Sequence, residues 1–293
     1  ANQFINSGVI QSGQNVSIIS TDLNNTGTIE AEQNLITSST TLTNSGFLQS
    51  DQNINISGTL GNPVDVSLTA TSVIESGQSL SISGDEIDNA GTLTSIQDLS
   101  LTGNQIANSG ALQAGQNLNI AGTNLTNSGS LQAEQNLELS ASNDITIASL
   151  SVLSASNGIL RATANRNLSI QQATIDAQTI NLFATGGLVL NSNQMNSTGN
   201  LTISGDTVQI SDTAVNPSNI TAGGDLQIVG SQDIEINTPN IDSLIQATGN
   251  LTIDGSGNLS IRGTLTSDAI LIASDGGLRL SDSQITSVAG GIN

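Results

Sequence analysis

The side chains that could do chemistry in this chain are carboxylates, hydroxyls and four arginines. Its 293 residues include no His, Cys, Lys, Trp or Tyr. Acid–base and nucleophilic catalysis need groups tuned near neutral pH and held in a pocket, so the remaining option is acids set beside arginine. The densest acidic cluster is Asp85–Glu86–Asp88, and Asp206, Asp212, Asp225 and Asp233 form a looser series. A polysaccharide-cleaving site would gather such carboxylates with arginine along one wall. Here Arg161, Arg166, Arg262 and Arg279 lie far along the chain from the first cluster, and the acids are scattered over turn and outward positions. An enzyme is not expected. Oxygen ligands are plentiful enough for calcium, but the repeat Gly-Gly-x-Gly-x-Asp is missing, since Gly223–Gly224–Asp225 and Gly276–Gly277 lack its continuation. Thr residues keep no single column, as an ice-binding face would require. No cofactor or metal is expected.

The 24 acids leave a net charge of −20. That balance argues against nucleic acid, whose affinity comes from clustered Lys and Arg, and against anionic membrane surfaces. No apolar run approaches the length of a membrane span and no secretory leader is visible. The ends, at Ala1 and at Gly-Gly-Ile-Asn, read as cut from a longer chain. Without cysteine, burial and hydrogen bonds alone must hold the fold.

What positions these residues is a repeat. Residues 106–124 and 125–143 carry the same pattern, with ten of nineteen positions identical. From Phe4 to Asn143 the unit is Leu-x-Asn-Ser-Gly-x-Leu-x-Ala-x-Gln-Asn-Leu-x-Ile. One apolar track runs through Phe4, Leu23, Leu42, Ile87, Ile106 and Leu125, and a second through Ile10, Ile29, Leu48, Ile74, Leu93, Leu112 and Leu131. A third pairs residues two apart, such as Val16 with Ile18 and Leu118 with Ile120. Spacing of two marks short strands with one buried face. Three such strands in 19 residues leave no room for a helix. A coil that winds once per repeat returns like residues to like places, which predicts an all-β, right-handed parallel β-helix (β-solenoid) of about 13–14 coils of 19–26 residues.

Stacking also accounts for the polar punctuation. Asn6, Asn25, Asn44, Asn89, Asn108 and Asn127 are expected to form one ladder at a corner. Asn15, Asn34, Asn53, Asn117 and Asn136 are expected to form another, with Ser79 and Asp98 as substitutes. A stacked amide donates to one neighbour and accepts from the other. The glycine after each Asn-Ser is expected to supply a positive φ at the bend.

Three coils run to 25 or 26 residues, from Asn53 to Ser79, from Leu201 and from Leu226, and all three prolines, Pro63, Pro217 and Pro239, fall inside them. Proline cannot donate in a strand ladder, so loops are expected near 60–70, 213–221 and 237–246. Such insertions are commonly no more than tolerated surface loops, but in repeat proteins they often cluster on one face and carry binding, and the candidate binding residues among them are Asn62, Pro63, Asp65, Asn216, Pro217, Thr238, Pro239 and Asn240. The expected division is regular repeats over 1–143, irregular transition coils over 144–184, and variant repeats with longer loops over 185–293.

The stretch Asn-Ser-Gly-x-Leu-Gln-Ala-Gly-Gln-Asn-Leu-x-Ile at 108–120, echoed at 6–18, 44–56 and 127–139, resembles the haemagglutinin repeat of filamentous haemagglutinin-type exoproteins. These are the secreted partners of bacterial two-partner secretion, a group that includes adhesins and the long sticks of contact-dependent growth-inhibition toxins. The resemblance is specific over about the first 143 residues and looser after that. It implies a right-handed parallel β-helix, export through a dedicated outer-membrane pore partner, and a secreted or cell-surface location. Neither the family's amino-terminal secretion domain nor a carboxy-terminal toxin is expected within these residues, which leaves open whether the parent is an adhesin or a toxin carrier. The chain then reads as a rigid, monomeric shaft segment that mediates adhesion to a host or target-cell receptor or presents a distal effector. The alternative is a β-helix that binds or degrades polysaccharide.

Overall fold

Every Leu-x-Ile or Leu-x-Ala doublet needs a place to bury one face of its strand. In the computed structural model each finds it against the same doublet one coil away. The structure describes residues 2–59, 62–148, 150–213 and 215–293. Among them the chain is all β, with 36 strands and no helix, and it winds about 14 turns of parallel β-solenoid. Among the described residues no helix is long and apolar enough to cross a membrane. The chain divides into two compact units, residues 1–140 and 141–293.

In the first unit each turn carries three walls. On the first, Phe4, Leu23, Leu42, Val66, Ile87, Ile106 and Leu125 stand in register. Val66 fills the place that the sequence reading left empty. The second wall stacks Ile10, Ile29, Leu48, Ile74, Leu93, Leu112 and Leu131. The third stacks Val16, Leu35, Ile54, Leu80, Leu99 and Leu118. Most of these side chains are completely buried, each worth about 1.5–3 kcal/mol relative to an exposed position. The strands Leu80–Asn89, Leu99–Asn108 and Leu118–Asn127 run ten residues, bending from the third wall of one turn into the first wall of the next.

The second unit also has three walls. Ile145, Leu168, Leu188, Val208, Ile234, Leu259 and Leu278 stack on one. Leu153, Ile175, Met195, Ile220, Ile245, Leu265 and Ile285 stack on the next. Leu160, Ile180, Leu201, Leu226, Leu251 and Ile270 form the third. Residues 145–184 therefore already share the registers of the turns that follow them.

Two expectations are corrected. The glycines after Asn-Ser do not supply positive φ; among the described glycines only Gly263 has it. They are glycine because consecutive turns approach too closely for a side chain. A Cβ on Gly27 would sit 2.1 Å from the carbonyl oxygen of Gly8, and one on Gly110 2.0 Å from that of Gly91. The loops are also shorter than the prolines suggested. Val64–Leu68 is a strand, with Val64, Val66 and Leu68 buried, so among the described residues the extra ones of that coil fall at 58, 59, 62, 63 and 69–72. Alternating apolar residues outweigh the neighbouring proline there. The later excursions occupy 212–218 and 238–243, between strands Thr207–Ser211 and Asn219–Ala222 and between Ile234–Asn237 and Leu244–Ala247. Leu60, Gly61 and Ala214 of the expected loops, Ser149 of the expected transition, and Ala1 lie outside the described residues.

One core position breaks the aliphatic rule. Thr37 stacks between Ile18 and Ile56, is fully buried, and its hydroxyl finds no hydrogen-bond partner. An unsatisfied buried polar group costs about 1–3 kcal/mol. Thr37→Val keeps the shape and removes the hydroxyl. It is expected to raise the urea midpoint of unfolding by a stability gain of about 1 kcal/mol, and a lower midpoint would show that the hydroxyl is bonded after all.

Candidate functional site

Three sets of residues were expected to do something specific: two asparagine columns, the acids and the excursion loops. The first asparagine column sits at the corner between the first and second walls. Asn6 Nδ2 donates to Asn25 Oδ1 at 2.8 Å, and Asn25 to Asn44 at 2.7 Å. Asn89 donates to Asn108 and Asn108 to Asn127, each at 2.7 Å. All six are buried. Each Nδ2 also reaches the carbonyl two residues ahead, as Asn108 does to Gly110 at 3.3 Å. The column is not continuous. Leu68 occupies the asparagine register between Asn44 and Asn89, and Asn44 donates instead to the Ser72 hydroxyl at 2.5 Å.

The second column precedes the third wall and runs with the opposite polarity. Asn34 donates back to Asn15, Asn53 to Asn34, Asn117 to Asp98 and Asn136 to Asn117, at 2.9–3.1 Å. Its Oδ1 atoms also accept from the backbone N–H one turn later, as from Ser79 to Asn53 at 3.2 Å. Because acceptance is the constant task, Asp serves as well as Asn.

The same device recurs in the second unit, at residues that the sequence had not marked as ladder members. Asn200 Oδ1 accepts from Asp225 N at 2.9 Å, and Asp225 Oδ1 from Asn250 N at 2.8 Å. Asp233 accepts from Asn258 N at 2.7 Å, and Asp144 from Asn167 N at 3.1 Å. An Asx residue directly before a Leu-x-Ile doublet was the available signal. At Asp144, burial alone would raise the pKa. Hydrogen bonds from Arg166 and Asn167, with the guanidinium charge, outweigh it and hold the carboxyl below its ordinary value.

The acids do not converge. Asp85, Glu86 and Asp88 are exposed, and Glu86 and Asp88 line an open groove with Asp65, Thr41, Thr43 and Ser67. All four arginines belong to the second unit. Asp206 is taken up by Ser231 Oγ at 2.6 Å and Gln232 Nε2 at 2.8 Å, and Asp225 and Asp233 by their ladders. No group of three or more His, Cys, Asp or Glu suited to a metal occurs among the described residues.

The excursions are more specific. In the second unit the corner between the first and second walls is normally turned by one residue of positive φ: Leu150, Gln172, Ser192, Gly263 or Asp282. In the two intervening turns this corner opens into the excursions 212–218 and 238–243, which are cross-bonded. Asp212 Oδ2 accepts from Asn240 N at 3.2 Å and from the Ser243 hydroxyl. Asn240 Nδ2 donates to Thr213 O at 3.1 Å, and Ser218 N to Ser243 Oγ at 3.0 Å. Of the residues singled out from sequence, Asn216 and Pro239 are exposed, Pro217 and Asn240 half-buried, and Thr238 buried. Asn62 and Pro63 are exposed in the first unit, whereas Asp65 lies within a strand, opposite Thr41. The sequence reading missed the apolar tips. Ile241 (94% exposed), Leu150 (87%) and Val215 (83%) are the most exposed large hydrophobic side chains among the described residues, and all three stand at this one corner.

The family model of the haemagglutinin repeat matches residues 1–62, 163–228 and 227–291. The matches thus extend over most of the later turns, where the pattern had looked looser. No curated protein and no solved structure matches the chain.

The buried column should matter more than the exposed one. Asn108→Ala strands the Asn89 donor and the Asn127 acceptor, and is expected to cost about 2–4 kcal/mol in urea unfolding. Asn117→Ala, in the more solvated column, is expected to cost about 1 kcal/mol or less. Equal losses would show that the ladders contribute through packing rather than through desolvated hydrogen bonds.

Proposed function

Because the chain belongs to the haemagglutinin-repeat family, we propose that it is a rigid shaft segment of a large bacterial protein displayed at or beyond the cell surface, with adhesion carried by one corner of its second unit. The repeats and the β-solenoid fit a filamentous haemagglutinin-like shaft, and members of the family are usually secreted or surface-exposed. On this reading the chain leaves the cell through an outer-membrane two-partner-secretion pore, and each turn templates the next as it emerges. The plain turns of residues 1–143 supply reach. The loop-bearing turns of 185–293 supply contact with a host or neighbouring-cell receptor.

The observation that carries the adhesion reading is the corner itself. Single-residue bends suffice at five of its turns, yet two neighbouring turns keep cross-bonded excursions with Val215 and Ile241 facing solvent. Apolar side chains left in water add little to folding, and we read the two on these cross-bonded excursions as part of a contact surface. Enzymatic chemistry has no comparable support, since Asp225 and Asp233 are occupied by their ladders and Glu86 and Asp88 line an open groove in the unit that holds none of the four arginines.

Replacing 212–218 and 238–243 with the short bend at Ser192–Asn193 tests the proposal. The variant is expected to keep its β-sheet circular dichroism and lose binding to target cells. A folded variant that binds as well as the parent chain would remove the corner from the adhesion surface.

A further inference from the structure

The geometry points to Asn157–Gly158 as the site at which the folded chain ages by deamidation, while the buried ladder protects the four Asn-Ser pairs of the first unit. The chain holds one Asn-Gly pair, and it falls in strand Val152–Ala164 at a break in register. Ala155 stands opposite Ala177 and Ile159 opposite Thr179, so Ser156, Asn157 and Gly158 together face Gln178. Towards that neighbouring strand the three residues form a bulge in which the backbone is freed from the regular ladder. The Asn157 side chain is exposed, and no hydrogen bond to its amide is found among the described residues. Gly158 offers a backbone nitrogen with no Cβ to hinder its approach.

The reaction needs only water. The Gly158 nitrogen attacks Asn157 Cγ; the N–Cγ bond forms, the Cγ–Nδ2 bond breaks, and the Gly158 proton leaves with the amide as ammonia. Water then opens the five-membered imide. Cleavage at Cγ gives Asp at 157, and cleavage at the main-chain carbonyl gives isoaspartate, whose backbone runs through the side-chain methylene. Both products add one negative charge to the chain's −20. A bulge, which already accommodates surplus backbone, can take up the extra methylene without shifting the register on either side.

Four of the six Asn-Ser pairs are held differently. Asn6, Asn44, Asn108 and Asn127, each followed by Ser, are buried, and each Nδ2 donates to a carbonyl two residues ahead at 3.0–3.3 Å. That bond points the amide away from the geometry that attack by the next nitrogen requires. Asn196–Ser197 is an internal comparison: Asn196 is exposed, but its strand is in unbroken register with Asp176 on one side and Thr221 on the other.

The test is to incubate the full chain at mildly alkaline pH, native and in denaturant, and to map amide-to-acid mass gains by peptide. Isoaspartate is read separately with an isoaspartyl methyltransferase and labelled S-adenosylmethionine. In the native sample the gain is expected first and mainly in the peptide holding Asn157, with methyl label in the same peptide. In denaturant the Asn-Ser peptides are expected to convert as well. The Asn157→Gln variant, which leaves the ladders intact, should lose the early native modification. Native conversion at a ladder asparagine or at Asn196 ahead of Asn157 would overturn the assignment. So would a native Asn157 that stays intact while the denatured chain converts there.

Discussion

Each turn of this chain is stabilised by its resemblance to the next one. In-register stacking puts a Leu or Ile on a Leu or Ile along three walls, and the same register brings glycine against glycine where the turns approach most closely. The backbone hydrogen bonds run between turns, so no turn has a complete set of partners by itself. Apolar burial sets the energy scale, and the polar corners must meet their hydrogen-bonding needs within the same register. A buried amide at a corner is tolerable only if another amide, or a hydroxyl such as that of Ser72, stands one turn away to receive it.

The two kinds of column meet this condition differently. The buried column of the first unit uses both ends of the amide, so asparagine is the residue that fits, and where the register brings Leu68 the chain needs a substitute acceptor. The column before the third wall uses chiefly the carbonyl oxygen, which accepts from the backbone one turn later. Asp98 and Asp225 serve there, and Asp233 does the same before the first wall of the second unit, which explains where part of the chain's acidity resides. Asp225 and Asp233, two of the carboxylates that might have suggested catalysis, are in this way parts of the scaffold. Freedom from stacking is confined to bulges and corners, and the two functional inferences rest there: the apolar-tipped excursions at one corner, and the unpaired Asn-Gly bulge.

The periodic tracks were legible because a spacing of two within a strand and 19 between turns leaves a direct trace in the sequence. The strand through Val64, Val66 and Leu68 was missed because Pro63 was given more weight than three alternating apolar residues. The corner of the second unit was illegible for another reason. Leu150, Gln172, Ser192 and Asp282 adopt positive φ without being glycine, and no local composition announces that. Val215 and Ile241 look like core residues in a sequence built of buried Val and Ile; only their position outside the wall shows them exposed. Asn200, Asp225 and Asn250 could have been found, since each directly precedes a Leu-x-Ile doublet as Asn117 does.

If stacking between like turns is the source of stability, one regular turn should be dispensable. Deleting residues 106–124 joins Gln105 to Leu125 and brings Asn89 beneath Asn127, restoring every column of the first unit with one turn fewer. Equilibrium unfolding of this variant, followed by β-sheet circular dichroism, is the most direct measurement. The account predicts a cooperative, folded chain with only a modest loss of stability. A variant that fails to fold, or unfolds without cooperativity, would contradict it, because residues 106–124 would then hold contacts that the neighbouring turns cannot replace.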